Sequence, residues 1–168
     1  MARNFISARG DDLWESTRTL ALLNLVMVDS YTAVFEAKYR YQFWRPTMAI
    51  RAADADDNQK KTIADPNWLP LLRTPPFPEY PSGHAAACGS SQIVLESAFG
   101  RTTPFTATST DHLPDYSRTF SNFDEMAREC AEGRMFAGHH FRFSDDDALY
   151  LGRHIGRYAL RTILDPLP

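Results

Sequence analysis

Three separated segments of this chain carry cationic and hydroxyl side chains of the kind that bind an oxyanion. They span residues 38–46, 81–84 and 134–140. Arginine and lysine pair with phosphate-like groups, and the beginning of a helix offers unpaired backbone N–H groups to the same anion. Histidines within the segments could move protons or bond to the central atom of the anion. Together the segments predict a phosphate or vanadate centre.

The first segment supplies two cations. Lys38 and Arg45 are seven residues apart, which places them on one face of a helix. A lysine and an arginine on one face can bind a phosphate-like group, and the arginine can do so through two parallel hydrogen bonds. With Arg40 nearby, the same residues also fit a basic face exposed to solvent. Taken alone, this segment favours the solvent-exposed interpretation.

The second segment places a histidine at the beginning of a helix. Ser82 and Gly83 sit where unpaired N–H groups point outward and the helix dipole favours an anion. Gly83 allows close approach of the backbone to a ligand, and His84 lies in the first turn beside it. The titration range of histidine suits general acid–base work. An ordinary capped helix with a surface histidine fits this segment equally well.

The third segment combines an arginine with a histidine pair. Arg134 and Gly138 are four residues apart, so the glycine leaves room beside the arginine side chain. His140 follows where the helix should fray, and it could attack phosphorus or bind a metal oxyanion. His139, its neighbour, should point elsewhere. A polar end of a helix is the competing interpretation, and nothing local decides between them.

The order of the three segments carries more information than any one of them. Lys-x6-Arg-Pro, Pro-Ser-Gly-His and Arg-x5-His resemble the three-part motif of the type 2 phosphatidic acid phosphatase and vanadium-dependent haloperoxidase superfamily. The flanking residues 79–85, 118–123 and 137–143 are more similar to the bacterial haloperoxidase-like branch than to the membrane-embedded lipid phosphatases. The resemblance covers roughly residues 38–156.

The resemblance implies a helical bundle with the oxyanion site at its centre. It also implies that vanadate is the cofactor, or that phosphate occupies the same site. The oxyanion would be held by five residues: Lys38, Arg45, Ser82, Gly83 and Arg134. His140 would bond to vanadium in a haloperoxidase or to phosphorus in a phosphatase. His84 would be the acid–base, protonating a leaving alkoxide or assisting peroxide.

Two residues depart from the family pattern in the third segment. The family has a serine before the arginine, whereas this chain has Gly133, which removes a hydroxyl donor. The family also has a carboxylate four residues after the histidine, where this chain has Ser144. That carboxylate orients the histidine ring and raises its basicity. We therefore expect Asp145 to take its place beside His140.

Members of the haloperoxidase-like branch are usually much longer than this chain. We expect residues 1–168 to form one helical domain of the phosphatase/haloperoxidase type, which could be the C-terminal half of a longer parent. Leu20, Leu23 and Val28 would then be covered by a second copy of the chain. A homodimer is the expectation.

The sequence is compatible with three functions. The first is an enzyme that uses vanadate and hydrogen peroxide to oxidise a halide. The second is a soluble acid phosphatase that hydrolyses phosphomonoesters through a phosphohistidine on His140. The third is a degenerate helical domain that binds an anion without turnover, which the losses at Gly133 and Ser144 make plausible.

Composition limits the other classes of function. The chain has 168 residues and a net charge of −3, which argues against nucleic-acid binding. The apolar run 20–28 is too short to span a membrane, and the N-terminus lacks the apolar core of a signal peptide. A soluble protein is expected, cytoplasmic or exported if a longer parent carries a signal. Cys88 and Cys130 are expected to be buried free thiols.

The elements that position these segments are predicted to be helices. Apolar residues at helical spacing predict helices from residue 13 into the early forties and over 145–164. Ser82 as an N-cap and Gly100 as a stop predict a helix over 83–99, and Ser121 or Asn122 as a cap before a first turn with acidic residues predicts one over 124–138. Residues 52–61 are predicted to be a polar loop, 66–81 a proline-rich connector and 102–121 irregular, with no strand. The fold class is all-α, a bundle of about four main helices joined by long proline-rich loops.

Overall fold

The computed structural model describes residues 1–53, 62–109, 113 and 116–164. Within them the elements are α1 (Ala2–Arg9), α2 (Leu13–Tyr41), α3 (Pro46–Arg51), α4 (Gly83–Phe99), β1 (Phe105–Thr108), β2 (Ser117–Phe120), α5 (Phe123–Phe136) and α6 (Arg142–Thr162). The predicted helical bundle is confirmed, and each of the four main helices is present. Most of the predicted polar loop 52–61 lies outside the described residues.

Helix α4 is the central element of the bundle, because α2, α5 and α6 all pack against it. Its contact with α6 is close because small residues face each other. A Cβ atom added to Gly156 would lie 2.8 Å from Ile93 Cβ, and one added to Gly152 would collide with the backbone oxygen of Ala86. The N-terminal end of α4, which carries the Pro-Ser-Gly-His segment, is therefore fixed from three sides.

The apolar core forms two clusters. One lies between α1, α2, α4 and the strands, and its aromatic centre is formed by Phe5, Phe105 and Phe123, whose ring centroids are 5.1–5.4 Å apart. The other lies nearer the N-terminal end of α4 and includes Val34 and Leu149 with several buried alanines. The small side chains of this second cluster bring α2, α4, α5 and α6 close together beneath the candidate site.

The prediction that residues 102–121 contain no strand is wrong for part of that range. β1 and β2 pair antiparallel, with Phe105 opposite Phe120. These two rings are buried on one face, while the hydroxyls of Thr106 and Thr119 lie 2.9 Å apart on the other. Two strands of four residues each are too short to show a convincing alternation in the sequence. They form because one face is buried against α1 and α5.

The prediction of free thiols is also wrong. Cys88 in α4 and Cys130 in α5 form a disulfide with an S–S distance of 2.08 Å. The two residues are 42 positions apart in sequence, and their Cα atoms come within 6.6 Å only because α4 and α5 pack side by side. This bond ties the helix that begins at the Pro-Ser-Gly-His segment to the helix that carries Arg134.

Several helix ends differ slightly from the predictions. Ser82 occupies the N-cap position of α4, as predicted, but its side chain makes no capping hydrogen bond. Helix α6 begins at Arg142 rather than Asp145, because the backbone N–H groups of Ser144 and Asp145 already bond to the carbonyl of Phe141. The short helices α1 and α3 lack the length that makes a periodic pattern visible in the sequence.

Helix α2 has a buried face and an exposed face. By length and apolar composition alone, the stretch 13–51 could cross a membrane, but α2 packs against α4 and α6 as a bundle helix does. The absence of a membrane span stays a prediction. Of the residues expected to meet a second copy, Leu23 is buried within the chain itself and Val28 is 62% exposed. The homodimer likewise stays a prediction.

Candidate functional site

The candidate site lies at the N-terminal end of α4, where the three segments meet. Lys38 comes from the last turn of α2, Arg45 precedes α3, and His140 lies between α5 and α6. Hydrogen bonds join residues that are far apart in sequence: Arg45 reaches both His139 and His140. These contacts join the first segment to the third, and partial burial and the charges of Arg134 and Lys38 lower the pKa of His84, which puts the second segment beside them.

The two cations from the first segment are buried and held by backbone oxygens. Lys38 Nζ donates to the carbonyls of Pro78 and Glu79 at 3.0 and 2.7 Å. Arg45 donates from Nε and Nη2 to the carbonyl of Phe77 at 3.1 and 3.0 Å. Carbonyl groups of the proline-rich connector therefore hold both cations in place. The exposed basic face that Lys38 and Arg45 could have formed is ruled out, since the two are 1% and 5% exposed.

Burial of these cations is electrostatically unfavourable, and their pKa values record it. Burial, together with the charge of Arg45, lowers the pKa of Lys38 to about 8. Burial also lowers the pKa of Arg45, with Glu79 opposing the shift and Arg134 adding to it. An anion placed among these residues would relieve the repulsion between them.

His140 is held in one orientation by a carboxylate. Its Nδ1 lies 2.7 Å from Glu79 Oε1, and the same oxygen accepts the backbone N–H of Phe141 at 3.1 Å. Its Nε2 lies 3.4 Å from Nη1 of Arg45. Because a guanidinium only donates, Nε2 carries the lone pair and Nδ1 carries the proton that is donated to Glu79. Nε2 is thus the nitrogen available as a ligand or nucleophile.

The protonation state of His140 agrees with that role. Burial lowers its pKa to about 4, although Glu79 acts in the opposite direction. At neutral pH the ring is therefore neutral, as a metal ligand or a nucleophile must be. The expectation that Asp145 orients this ring is wrong, because Glu79 makes the hydrogen bond. The sequence did contain a signal for this role of Glu79. Ser144 leaves His140 without the carboxylate of the family pattern, and Glu79 is the acidic residue nearest the second segment.

The second segment presents unpaired polar atoms at the beginning of α4. The Oγ atom of Ser82 is buried and has no hydrogen-bond partner among the described residues. Gly83 is buried as well, and a Cβ atom there would lie 3.3 Å from the ring of Tyr31. His84 is the exposed member of the segment. Its pKa is lowered by partial burial and by the charge of Arg134, which places the ring beside the cations and open to solvent.

Arg134 enters the site from α5. Its Nη2 lies 2.6 Å from Nδ1 of His139, while its Nε is buried and has no partner within the described part of the chain. Burial lowers the pKa of Arg134, and the carboxylate of Asp145 opposes that shift. His139 is the neighbour that sequence reasoning had set aside, yet it contacts this arginine directly.

Asp145 lies beside Ser82 and Arg134 rather than beside His140. Burial raises the pKa of this carboxyl group to about 7, against the opposing effects of the Ser82 hydroxyl and Arg134. Ser82 is near enough to lower the pKa, but neither carboxyl oxygen has a hydrogen-bond partner among residues that the structure describes. A protonated Asp145 could donate a hydrogen bond that an ionised one could not.

The two departures from the family pattern have different surroundings. Gly133 is exposed, and a Cβ atom there would meet nothing within 4 Å. Among the described residues, therefore, none packs against the position that a serine Cβ would take. Ser144 is fully buried, its Oγ has no hydrogen-bond partner within the part of the chain that the structure describes, and its carbonyl accepts the N–H of Ser82 at 3.3 Å. Ser144 thus supports the second segment, while Glu79 supports His140.

The donor set fits an oxyanion. Two buried donors, Ser82 Oγ and Arg134 Nε, have no partner within the described ranges of the chain, and Lys38 and Arg45 are buried cations. Across the residues that the structure describes, no group of three or more His, Cys, Asp or Glu side chains could hold a bare metal ion. One neutral histidine among three cations and a hydroxyl is suited instead to vanadate or phosphate, whose oxygens accept hydrogen bonds.

Comparisons with known proteins point to one group of enzymes. A family model described as the VCPO second helical-bundle domain matches residues 18–167. The vanadium chloroperoxidase of Curvularia inaequalis is 34% identical to this chain over 83 residues, which cover 44% of this chain and 13% of that protein. The chain thus spans a small part of this curated relative.

Solved structures agree with the family match. The crystal structure of a bacterial vanadium-dependent iodoperoxidase is 29% identical in sequence to this chain, with a TM-score of 0.83. The match covers 97% of this chain and 37% of the iodoperoxidase chain. The structure of an apo bacterial vanadium-dependent chloroperoxidase is 20% identical in sequence, with a TM-score of 0.69. The match covers 86% of this chain and 35% of the chloroperoxidase chain, and at this identity it shows the fold alone. In both cases this chain spans little more than a third of the relative's length.

Proposed function

We propose that this chain, which belongs to the VCPO second helical-bundle domain family, binds vanadate at its candidate site. The site would then serve the oxidation of halide by hydrogen peroxide. The activities in the names of the relatives belong to proteins of which this chain spans a part. The proposal therefore concerns the site that the described residues form, and the chemistry that this site can support.

One observation carries the proposal. His140 presents a neutral Nε2 toward Arg45, while Glu79 holds the opposite ring nitrogen. A histidine in this state can bind vanadium through Nε2 without first losing a proton. The hydrogen bond from Nδ1 to a buried carboxylate fixes the tautomer and increases the basicity of Nε2, as it does for other metal-bound histidines.

The remaining residues would hold the oxygens of the anion. Lys38, Arg45 and Arg134 supply positive charge, and Ser82 Oγ supplies a buried donor. The N–H of Gly83 adds the dipole at the beginning of α4. Vanadate, when bound, supplies the Lewis acid that activates hydrogen peroxide toward two-electron oxidation of halide. The donors would act at the moment when negative charge on oxygen must be stabilised, without reorganising.

His84 is suited to the proton transfer. Its ring is exposed, and its lowered pKa leaves a ring nitrogen free at neutral pH to accept a proton from hydrogen peroxide. Its position beside the cations, rather than in the core, gives a small substrate a path to it. Halide and hydrogen peroxide give hypohalite and water with no net uptake of protons, so His84 would return the proton to the peroxide oxygen that leaves as water.

The same geometry favours a second candidate, an acid phosphatase. A neutral Nε2 on His140 can attack phosphorus as readily as it can bind vanadium, and His84 can protonate the leaving alkoxide. The relatives favour the haloperoxidase, because the vanadium proteins reported above are peroxidases by name.

One preparation assayed twice separates the candidates. Hydrolysis of p-nitrophenyl phosphate is measured without vanadate, and bromination of a dye is measured with hydrogen peroxide and orthovanadate. Bromination that depends on vanadate supports the proposal, whereas hydrolysis alone supports the phosphatase. Neither activity, in folded protein that still binds phosphate in calorimetry, indicates an anion-binding domain without turnover.

His140→Ala provides the decisive variant. It removes Nε2 and should abolish bromination and vanadate binding, because Lys38, Arg45 and Arg134 only donate hydrogen bonds and offer no lone pair to vanadium. His154→Ala is the matched control, since His154 is exposed on α6 and contacts the ring of Tyr150. Equal loss in both variants would contradict the assignment of His140.

A further inference from the structure

We infer that His139 is a positioning residue that aims Arg134 into the oxyanion site, an inference that rests on the proposed function. His139 is 3% exposed and makes two side-chain hydrogen bonds. Its Nδ1 lies 2.6 Å from Nη2 of Arg134, and its Nε2 lies 2.9 Å from the carbonyl oxygen of Leu72. A histidine that only filled space would not need both nitrogens matched in this way.

The partners of His139 fix its tautomer. Arg134 can only donate, so Nδ1 of His139 must be the acceptor. The carbonyl of Leu72 can only accept, so Nε2 must carry the proton. His140 has the opposite arrangement, with the proton on Nδ1. The two adjacent histidines therefore have different tautomers, because each ring is matched to different hydrogen-bond partners.

Arg134 has a particular need for such a partner. Its Nε is buried and unpartnered within the described residues, so that N–H is free to point at an anion. A long arginine side chain loses rotamer freedom when it is held in one orientation. The hydrogen bond to His139 fixes the guanidinium plane before the anion arrives, so this entropy is not lost on binding.

The backbone brings His139 back to Arg134. Gly138 has a positive φ of 77°, and the N–H of His139 then bonds to the carbonyl of Arg134 at 3.1 Å. A Cβ atom on Gly138 would lie 2.8 Å from the ring of Trp68 and 2.9 Å from Pro70. Glycine is therefore needed both for the turn and for close contact with the connector that supplies Leu72.

His139 also contacts the other arginine of the site. Its carbonyl accepts a hydrogen bond from Nη1 of Arg45 at 2.9 Å. One residue thus holds Arg134 through its side chain and Arg45 through its backbone, which sets the spacing of two guanidinium groups. Replacing the side chain should disturb Arg134 and leave the Arg45 contact in place.

Two matched substitutions separate the positioning role from a structural one. In His139→Asn the amide oxygen takes the place of Nδ1, so the acceptor for Arg134 is kept and the bond to Leu72 is lost. In His139→Gln the amide nitrogen takes the place of Nε2, so the bond to Leu72 is kept and the acceptor is lost. Affinity for orthovanadate and for phosphate is measured by calorimetry on the full chain.

We expect His139→Gln to weaken anion binding by about tenfold and His139→Asn to change it by less than about threefold. In an Arg134→Met background, His139→Gln should have no further effect, because the group that it positions is gone. Equal weakening by Asn and Gln, or an undiminished effect of Gln in the Arg134→Met background, would overturn the inference.

A measurement on the unaltered protein keeps the inference testable if a variant fails to fold. NMR of the imidazole nitrogens should show the proton on Nε2 of His139 and on Nδ1 of His140. A proton on Nδ1 of His139 overturns the inference. A wild-type chain that binds orthovanadate, shows the Asn and Gln difference and yet oxidises no halide contradicts the proposed function while the role of His139 stands.

Discussion

The two sides of the candidate site differ in how their polar atoms are paired. On the paired side, Lys38, Arg45 and His140 have hydrogen-bond partners in the chain, mostly backbone oxygens of residues 77–79 and the carboxylate of Glu79. On the unpaired side, buried atoms of Ser82, Arg134 and Asp145 have no partner among the described residues. The paired side has one exception, Oε2 of Glu79.

The difference between the sides separates two requirements of an anion site. The paired side holds charges in fixed positions whether or not an anion is bound, so little has to be reorganised on binding. The unpaired side leaves donors desolvated, at roughly 1–3 kcal/mol for each buried group, and an anion would supply the missing acceptor. The unpaired side therefore lowers the stability of the fold until an anion binds, whereas the paired side fixes the positions of the charges.

The largest expected effect comes from breaking the link that holds the unpaired side together. The disulfide Cys88–Cys130 joins α4, which begins after Ser82, to α5, which carries Arg134. Closing a loop of this length restricts the unfolded chain, so replacing both cysteines by serine should reduce the free energy of unfolding by about 4 kcal/mol. Anion affinity should fall as well. Urea unfolding and phosphate calorimetry measure the two effects.

A reducing agent provides the control for that prediction. It should reproduce the loss of stability in the wild-type chain and have no effect on the double serine variant. Equal stability of wild-type protein with and without reductant would contradict the structural role of the bond.

The next effect is a dependence of stability on pH that Asp145 imposes. Its pKa is raised from 3.8 to about 7, so the folded chain holds a proton that the unfolded chain loses in that window. Stability therefore falls as the pH rises through it. Asp145→Asn should be more stable than wild type at about pH 8, by up to about 4 kcal/mol, and the difference should disappear near pH 4.

Urea unfolding at a series of pH values measures this difference. Subtracting wild type from variant cancels the contribution of His140, whose lowered pKa removes stability as the pH falls from 6.5 through about 4. A difference between Asp145→Asn and wild type that stays constant over the whole range would show that Asp145 ionises normally.

On the paired side, removal of Glu79 should cost about 3 kcal/mol of stability, because it leaves Nδ1 of His140 and the N–H of Phe141 without an acceptor. Glu79→Ala should also abolish vanadate binding, since the ring of His140 loses its orientation. Glu79→Gln is the matched control, because its amide oxygen can accept the same two hydrogen bonds. Thermal unfolding and vanadium NMR report the two outcomes, and equal behaviour of the Ala and Gln variants would refute the role of the hydrogen bond.

The smallest effect sharpens the contrast between the sides. Ser82→Ala removes a buried hydroxyl that has no hydrogen-bond partner among the described residues, so stability should stay within about 1 kcal/mol of wild type or rise. Anion affinity should fall by about tenfold, because a donor to the anion is lost. Stability that drops while affinity is unchanged would place Ser82 in the fold rather than in the site.

Local chemistry in the sequence accounts for the parts of the site that could be predicted. Helices α2 and α6 follow from apolar periodicity, whereas α4 and α5 follow from the residues that cap them. Of the two caps expected for α5, Ser121 and Asn122, it is Asn122 that accepts the N–H of Glu125. Lys38 and Arg45 could be placed on one face because they belong to one stretch of chain. Spacing alone could not show that they are buried, since burial depends on the connector folding over them.

What could not be predicted depends on contacts between distant residues. Glu79 reaches His140 across 61 positions, and Cys88 reaches Cys130 across 42. Neither pairing has a spacing rule, because the disulfide depends on how α4 packs against α5 and the contact of Glu79 with His140 joins two segments outside the helices. The role of His139 was missed for a different reason, since adjacent residues were expected to point apart. They do point apart, but each points at a different member of the same site.

Backbone carbonyls solvate Lys38 and Arg45 without cancelling their charge. A dipole offers a partner for hydrogen bonding, whereas a carboxylate would also neutralise the field of the cation. The chain has a net charge of −3, whereas this pocket contains three cations, Lys38, Arg45 and Arg134, beside the carboxyl groups of Glu79 and Asp145. If the cations prevail, small anions would be drawn toward the pocket during diffusion, and dissolved salt would slow their arrival by screening that attraction. The carbonyls of residues 77–79 thus influence how quickly the site fills as well as how firmly it holds.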